Sequence, residues 1–201
     1  DKMYEDYKNC SAWEWYRVYE FTTGFISMCK AGCSPIKNYL VSGGTDMNKR
    51  ETIAYIETSG KYVFKDVACL GCPLACYKWV YINELGRCKA PGAGRSHTSI
   101  WEIYDYPFLV ELTRLVDQYG LDIYCIQMVI ASAMEWYERG IVTKKDTDGM
   151  EIRWGDKDAV ISLVHKIAKR EGFGNILAEG TVRAGKIVGA DPDSTATCGY
   201  G

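Results

Sequence analysis

Between residues 106 and 140 the apolar positions recur at helical spacing in two blocks parted by Gly120. In the first block Leu109, Leu112, Leu115 and Val116 share one face; Asp105 is placed to cap it, Pro107 suits its first turn and Gly120 ends it. In the second, Ile126, Val129, Ile130, Ala133, Met134 and Tyr137 recur from a cap at Asp122 to a stop at Gly140. This predicts a helical hairpin. Residues 142–155 (VTKKDTDGMEIRWG) carry an Asp148-Gly149 turn between short β-prone runs and read as a small surface hairpin. Asp156 or Asp158 opens a further helix with the stripe Val160, Ile161, Val164, Ile167 and Ala168, closed by Gly172, and a last helix is predicted through residues 176–189. Residues 11–31 gather Trp13, Trp15, Tyr16, Tyr19, Phe21 and Phe25 on several sides, the pattern of a buried helix. Residues 61–66 and 78–82 read as short strands around a cysteine loop. The expectation is one mainly α, multihelical domain over residues 1–201, with a few short strands or hairpins.

Composition narrows the function classes. With 201 residues, 47% of them hydrophobic, the chain can bury a sizeable core. A net charge of −2 and a pI near 5.8 supply no basic excess for nucleic acid or an anionic membrane. Charges interrupt every apolar stretch before it reaches the roughly eighteen residues that span a bilayer. Nine cysteines, an odd number without a secretory signal, point to a reducing, cytoplasmic setting. A start at Asp1 without methionine and a polar DPDSTATCGYG end read as a piece of a longer polypeptide.

The densest chemistry lies in ACLGCPLACY, where Cys69, Cys72 and Cys76 follow a C-x2-C-x3-C spacing. Thiolates so spaced on a tight loop, with Gly71 and Pro73 in it, can aim several sulfurs at one iron–sulfur cluster. Zinc prefers two separated pairs, and no second pair follows at that spacing. Zinc and unliganded structural cysteines remain as alternatives. Few apolar anchors occur in residues 66–100, which predicts mobility in the absence of a cluster. Cys29-x3-Cys33 is weak as a second metal pair, and Cys10, Cys88 and Cys198 have no assignable role.

At the junction of the two central helices stands Asp117-Gln118-Tyr119-Gly120-Leu121-Asp122, a D-x-x-G-L-D pattern. By itself it reads as a helix terminator followed by an N-cap. The cysteine loop, this junction about forty residues later and then LAEGTVRAG together resemble the tungsten-dependent aldehyde:ferredoxin oxidoreductase family. SPIKNYLVSGG (34–44), GRSHTSIW (94–101), ASAMEWYERG (131–140) and NILAEGTVRAG (175–185) are similar to segments of that family as well.

The resemblance implies the middle, helical domain of a longer enzyme, whose N-terminal β domain cradles a tungsten (or molybdenum) bis-pterin. It implies that Cys69, Cys72 and Cys76 are three ligands of a [4Fe-4S] cluster, with the fourth in a further domain. It implies that Asp117 and Asp122, with Gly120 and Leu121 between them, hydrogen-bond one pterin. Carboxylates suit that task, because they accept charge-assisted bonds from amino and ring N–H groups. The implied reaction oxidises an aldehyde or related carbonyl to the acid and passes electrons through the cluster to ferredoxin or another electron-transfer subunit, and a homo-oligomer is compatible with it. By itself the segment is expected to be inactive.

One departure matters. Where the family has glutamates in an E-Y-E-T stretch, this chain has Ser96-His97-Thr98-Ser99, which removes the expected acid near the metal. His97 is the candidate replacement, since imidazole titrates near neutrality. The same change points to relatives that reduce activated aromatic acyl-CoA rings as the alternative function. A non-catalytic iron–sulfur or zinc module is the alternative from a different class. Cys125 is close enough in sequence to Asp122 to approach a metal there, though a helix cysteine ordinarily serves as a small hydrophobe. His165 falls in an amphipathic helix and reads as structural.

Overall fold

A computed structural model describes residues 2–10, 13, 35–42, 60–90 and 98–190. In chain order its elements are helix α1 (Lys2–Lys8), strands β1 (Pro35–Ile36), β2 (Val41–Ser42), β3 (Val63–Val67), β4 (Tyr77–Ile82) and β5 (Gly86–Ala90), and a 3-10 turn (Thr98–Trp101). Helices α2 (Tyr106–Gln118), α3 (Ile123–Glu138), α4 (Lys157–Lys169), α5 (Phe173–Leu177) and α6 (Thr181–Val188) follow. The mainly helical expectation holds. No helix among the described residues is long and apolar enough to cross a membrane. The predicted buried helix at 11–31 lies outside the described residues, apart from Trp13.

The contacts divide into two compact units. Among described residues the first contains 60–90 and 105–111, and the second contains 35–42, 98–104 and 112–190.

In the first unit β3, β4 and β5 form an antiparallel sheet in that order. Strand β4 alternates strictly: Lys78, Val80 and Ile82 face inward while Trp79 and Tyr81 are exposed, the period-two pattern of a sheet with one covered face. Val80, Ile82 and Cys88 pack against Tyr106, Leu109 and Val110 at the start of α2, and the Tyr62 and Tyr106 rings stack at 5.6 Å. Asp105 accepts the Phe108 N–H at 3.0 Å and so caps that helix as expected. This core corrects the expectation that residues 66–100 have few apolar anchors. Strand β5 (GRCKA) has no β-branched or aromatic residue to mark it; its Cys88 lies opposite Val80.

In the second unit α3 is the hub, with Ile126, Val129, Ile130, Met134 and Trp136 buried. Trp101 docks on it by donating its indole N–H to the Gln127 carbonyl at 3.2 Å. The β1–β2 turn carries Lys37, Asn38 and Tyr39 at φ of 46°, 52° and 64°, a strained run that needs outside support. Asn38 supplies it, donating its backbone N–H to Ile100 O and its amide to Glu135 Oε2 at 2.6 Å. Glu135 is fully buried, and the Arg139 guanidinium lies 2.8 Å from its other oxygen. Glu135→Ala leaves the buried Asn38 amide without its acceptor and is expected to lower stability by about 2 kcal/mol. A denaturant midpoint unchanged from the parent would refute this.

Residues 142–155 contain no strand, which corrects the predicted hairpin. Their side chains bond the local backbone instead: Asp146 accepts the Thr143 N–H and hydroxyl at 2.8 and 2.6 Å, and Thr147 donates to Met150 O at 2.5 Å. Asp148 reaches out of this loop to accept from Lys166 Nζ at 2.8 Å and from the Phe173 N–H at 3.0 Å. The Lys166 hydrogen bond first, and the Phe173 N–H second, hold its carboxyl below the ordinary range. A depressed carboxylate stabilises the fold above its unfolded pKa of about 3.9, and that contribution fades as pH falls through the lower folded value. Urea midpoints followed downward from pH 5 are expected to fall less steeply in Asp148→Asn than in the parent. Equal slopes would contradict the assignment.

Asp156 rather than Asp158 caps α4, accepting the Ala159 N–H at 2.9 Å. The single helix predicted through 176–189 is two, α5 and α6, because the chain breaks at Gly180, whose φ of +83° strongly favours glycine.

Candidate functional site

The cysteine loop joins β3 to β4. The Cys72 N–H donates to Cys69 O at 3.0 Å, closing a turn over Leu70 and Gly71, with Gly71 at φ +74°. Cys69 is exposed, Cys72 and Cys76 are half-buried, and all three are free thiols. Leu70 stands fully in solvent between the first two. Among the described residues no three His, Cys, Asp or Glu side chains are gathered into a metal-holding group. The donor chemistry nonetheless suits an iron–sulfur cluster: three thiols on one short, partly exposed loop.

Sequence reasoning missed Lys78 at the base of this loop. Its side chain is buried, yet its ammonium is 2.9 Å from Asp66 Oδ1 and donates to Ala75 O at 3.4 Å. Asp66 precedes the loop and Ala75 lies near its end, so one cation ties the two sides together. A buried ammonium without such partners costs several kcal/mol, which makes the arrangement obligatory for a lysine on this face. A signal was present: Lys78 is in phase with Val80 and Ile82 in an alternating strand.

The second set of residues lies in the other unit and is held by two helix ends. Helix α2 ends in a Schellman arrangement, with Leu121 N–H donating to Val116 O at 3.0 Å and Gly120 N–H to Asp117 O at 3.1 Å. Gly120 takes φ +67° as the motif demands, and open space lies where its Cβ would be. Helix α3 then starts at once, capped by Asp122, whose Oδ1 accepts the Cys125 N–H at 2.8 Å. The structure thus brings Asp117, Gly120, Leu121 and Asp122 into one exposed corner. Asp122 Oδ1 serves the cap, and the same carboxylate takes a hydrogen bond from the Cys125 thiol. Two carboxylates beside an uncrowded glycine are suited to accepting N–H bonds from a flat heterocycle.

Cys125 sits in the first turn of α3. Burial first, then the hydrogen bond and charge of Asp122, push its thiol up, so it stays protonated and is poorly prepared as a metal ligand. His165, on α4, lies 2.7 Å through Nδ1 from the Tyr119 hydroxyl, a contact across 46 positions that no local pattern announces. His97 lies outside the described residues. The neighbouring Thr98 and Ser99 are buried in the 3-10 turn.

Residues 1–198 match the family described as aldehyde ferredoxin oxidoreductase, domains 2 and 3. The chain is 34% identical over 134 residues to the tungsten-containing aldehyde ferredoxin oxidoreductase of Pyrococcus abyssi, a match covering 62% of this chain and 21% of that protein. It is 34% identical over 166 residues to the aliphatic sulfonate oxidoreductase, WOR-like subunit, of Pyrococcus furiosus, covering 75% of this chain and 24% of that one. Among solved structures it resembles the active site complex BamBC of benzoyl coenzyme A reductase in complex with 1,5 dienoyl-CoA. The TM-score is 0.62 at 24% identity, over 79% of this chain and 24% of that one, a likeness of fold. The chain spans about a fifth of the length of the first curated relatives it matches. Since the family match takes in nearly every residue, including the cysteine loop and the aspartate junction, this chain belongs to the aldehyde ferredoxin oxidoreductase family.

Proposed function

We propose that this segment is the helical middle of a longer oxidoreductase, in which Asp117 and Asp122 hold one pterin of a tungsten or molybdenum bis-pterin and Cys69, Cys72 and Cys76 supply three ligands to a [4Fe-4S] cluster. The observation that carries the reading is the helix junction: two carboxylates on either side of a left-handed glycine with open space where its Cβ would be. When bound, the metallopterin supplies two-electron oxidation of a carbonyl substrate to the acid, and the cluster supplies one-electron transfer to ferredoxin or a partner subunit.

The chain's own residues bind and orient. Asp117 and Asp122 accept pterin N–H groups, while Gly120 leaves the approach clear. Lys78 keeps the two sides of the cysteine loop together, which fixes where its thiolates are offered. His97 is the group proposed to exchange a proton with substrate through its imidazole nitrogen, in place of the acid that the Ser96-His97-Thr98-Ser99 stretch lacks. The free thiols at Cys10, Cys69, Cys72, Cys76, Cys88 and Cys125 support a reducing, cytoplasmic setting.

That same stretch favours a second reading, in which the substrate is an activated aromatic ring reduced within a multi-subunit complex. The polypeptide carrying this segment, purified without oxygen, decides between them. Aldehyde-dependent reduction of a viologen dye is the expected result. Dye-driven reduction of an aromatic acyl-CoA, with no aldehyde turnover, would replace it by the second reading. Neither activity in a preparation lacking pterin would overturn both.

A further inference from the structure

We infer that His165 is a positioning residue for the Asp117–Asp122 junction, acting through Tyr119; the inference rests on the proposal that this junction binds pterin. Tyr119 occupies the third position of the D-x-x-G-L-D pattern, between the two aspartates and at the end of α2. Two of the restraints on the junction are internal to it: the Schellman bonds to Val116 and Asp117, and the Asp122 cap on Cys125. Those bonds set the shape of the turn but do not anchor it to anything beyond α2 and α3. The Tyr119 phenol does.

Its hydroxyl lies 2.7 Å from His165 Nδ1, and the two rings meet edge-on at 5.6 Å and 89°. The hydroxyl and Nδ1 share one hydrogen bond, its direction set by the imidazole tautomer, and the edge-on ring contact limits rotation of both side chains. The support is firm, because α4 buries Val160, Leu163, Val164 and Ile167. Tyr119 keeps 38% of its surface exposed, so the bond and ring contact with His165 add to partial burial in orienting it. The contact therefore ties the turn that carries both carboxylates to a packed helix. Loss of the tether lets the carboxylates wander relative to the unit that presents them, and a bidentate heterocycle site loses affinity when its two acceptors are not held in register.

The test uses the complete polypeptide, purified without oxygen and loaded with its cofactors, and reads pterin loss during dialysis alongside iron content and thermal midpoint. Tyr119→Phe removes a single oxygen and spares the fold. Tyr119→Phe and His165→Leu are each expected to lose pterin about fivefold faster, with iron unchanged. The double variant is expected to be no worse than either single one. His165→Asn, whose amide oxygen stands close to where Nδ1 stood, is expected to restore retention. A parent-like pterin loss rate in Tyr119→Phe, in a series where Asp122→Asn sheds its pterin, would overturn the tether and leave the pterin site standing. Retention of pterin by Asp122→Asn as well would sink the pterin site, and the tether with it.

Discussion

Asp122→Asn is expected to weaken pterin retention by roughly ten- to a hundredfold in the full polypeptide while leaving helix α3 intact. The two roles of this side chain separate cleanly. As an N-cap it accepts the Cys125 N–H through Oδ1, and asparagine caps helices about as well as aspartate. In the proposed pterin contact it offers a charged acceptor, and a hydrogen bond to a charged group contributes about 1.5–3 kcal/mol, which sets the size of the expected loss. Asp117→Asn, which caps nothing in the structure's account of α3, is expected to do the same. Asp122→Ala adds a cap loss of about 1 kcal/mol and so lowers the thermal midpoint as well. Measuring pterin per chain by fluorescence after oxidative release, alongside melting, distinguishes the effects. Full pterin content in both asparagine variants would remove the main support for the junction as a cofactor site.

Cys72→Ser is expected to cut iron from about four atoms per chain to below about one, because serine is a poor substitute for the soft thiolate that clusters require. Cys72 is half-buried in a loop, so the change should cost little stability. Cys88→Ser is the informative contrast. Cys88 is buried opposite Val80 in the core of the sheet, so a hydroxyl there should lower stability without lowering iron per folded chain. Iron retained in Cys72→Ser, Cys69→Ser and Cys76→Ser alike would leave the loop without a metal role.

The helices that present the aspartate junction follow from their apolar spacing, with α2 burying one face and α3 buried all round over residues 129–136, and from Asp105, Gly120 and Asp122 acting at helix ends through their own bonds. Legibility failed where side chains bond the backbone locally. Thr143, Asp146 and Thr147 hold 142–155 in successive turns, although the sequence alternates enough to suggest strands. It failed again at Gly180, because a helical pattern across 176–189 does not reveal that this glycine adopts a left-handed φ and starts a new helix. Of the site, the cysteine spacing and the D-x-x-G-L-D pattern were visible as motifs. Lys78 was readable only from its phase in β4, and Tyr119–His165 was not readable at all, since it depends on how α4 packs.

The most direct measurement is metal and pterin analysis with low-temperature EPR on the complete polypeptide purified without oxygen. About one tungsten or molybdenum and about four irons per chain are expected, with pterin and a reduced [4Fe-4S] signal. Zinc alone, with no pterin and no iron signal, would contradict that expectation and make this segment a structural module.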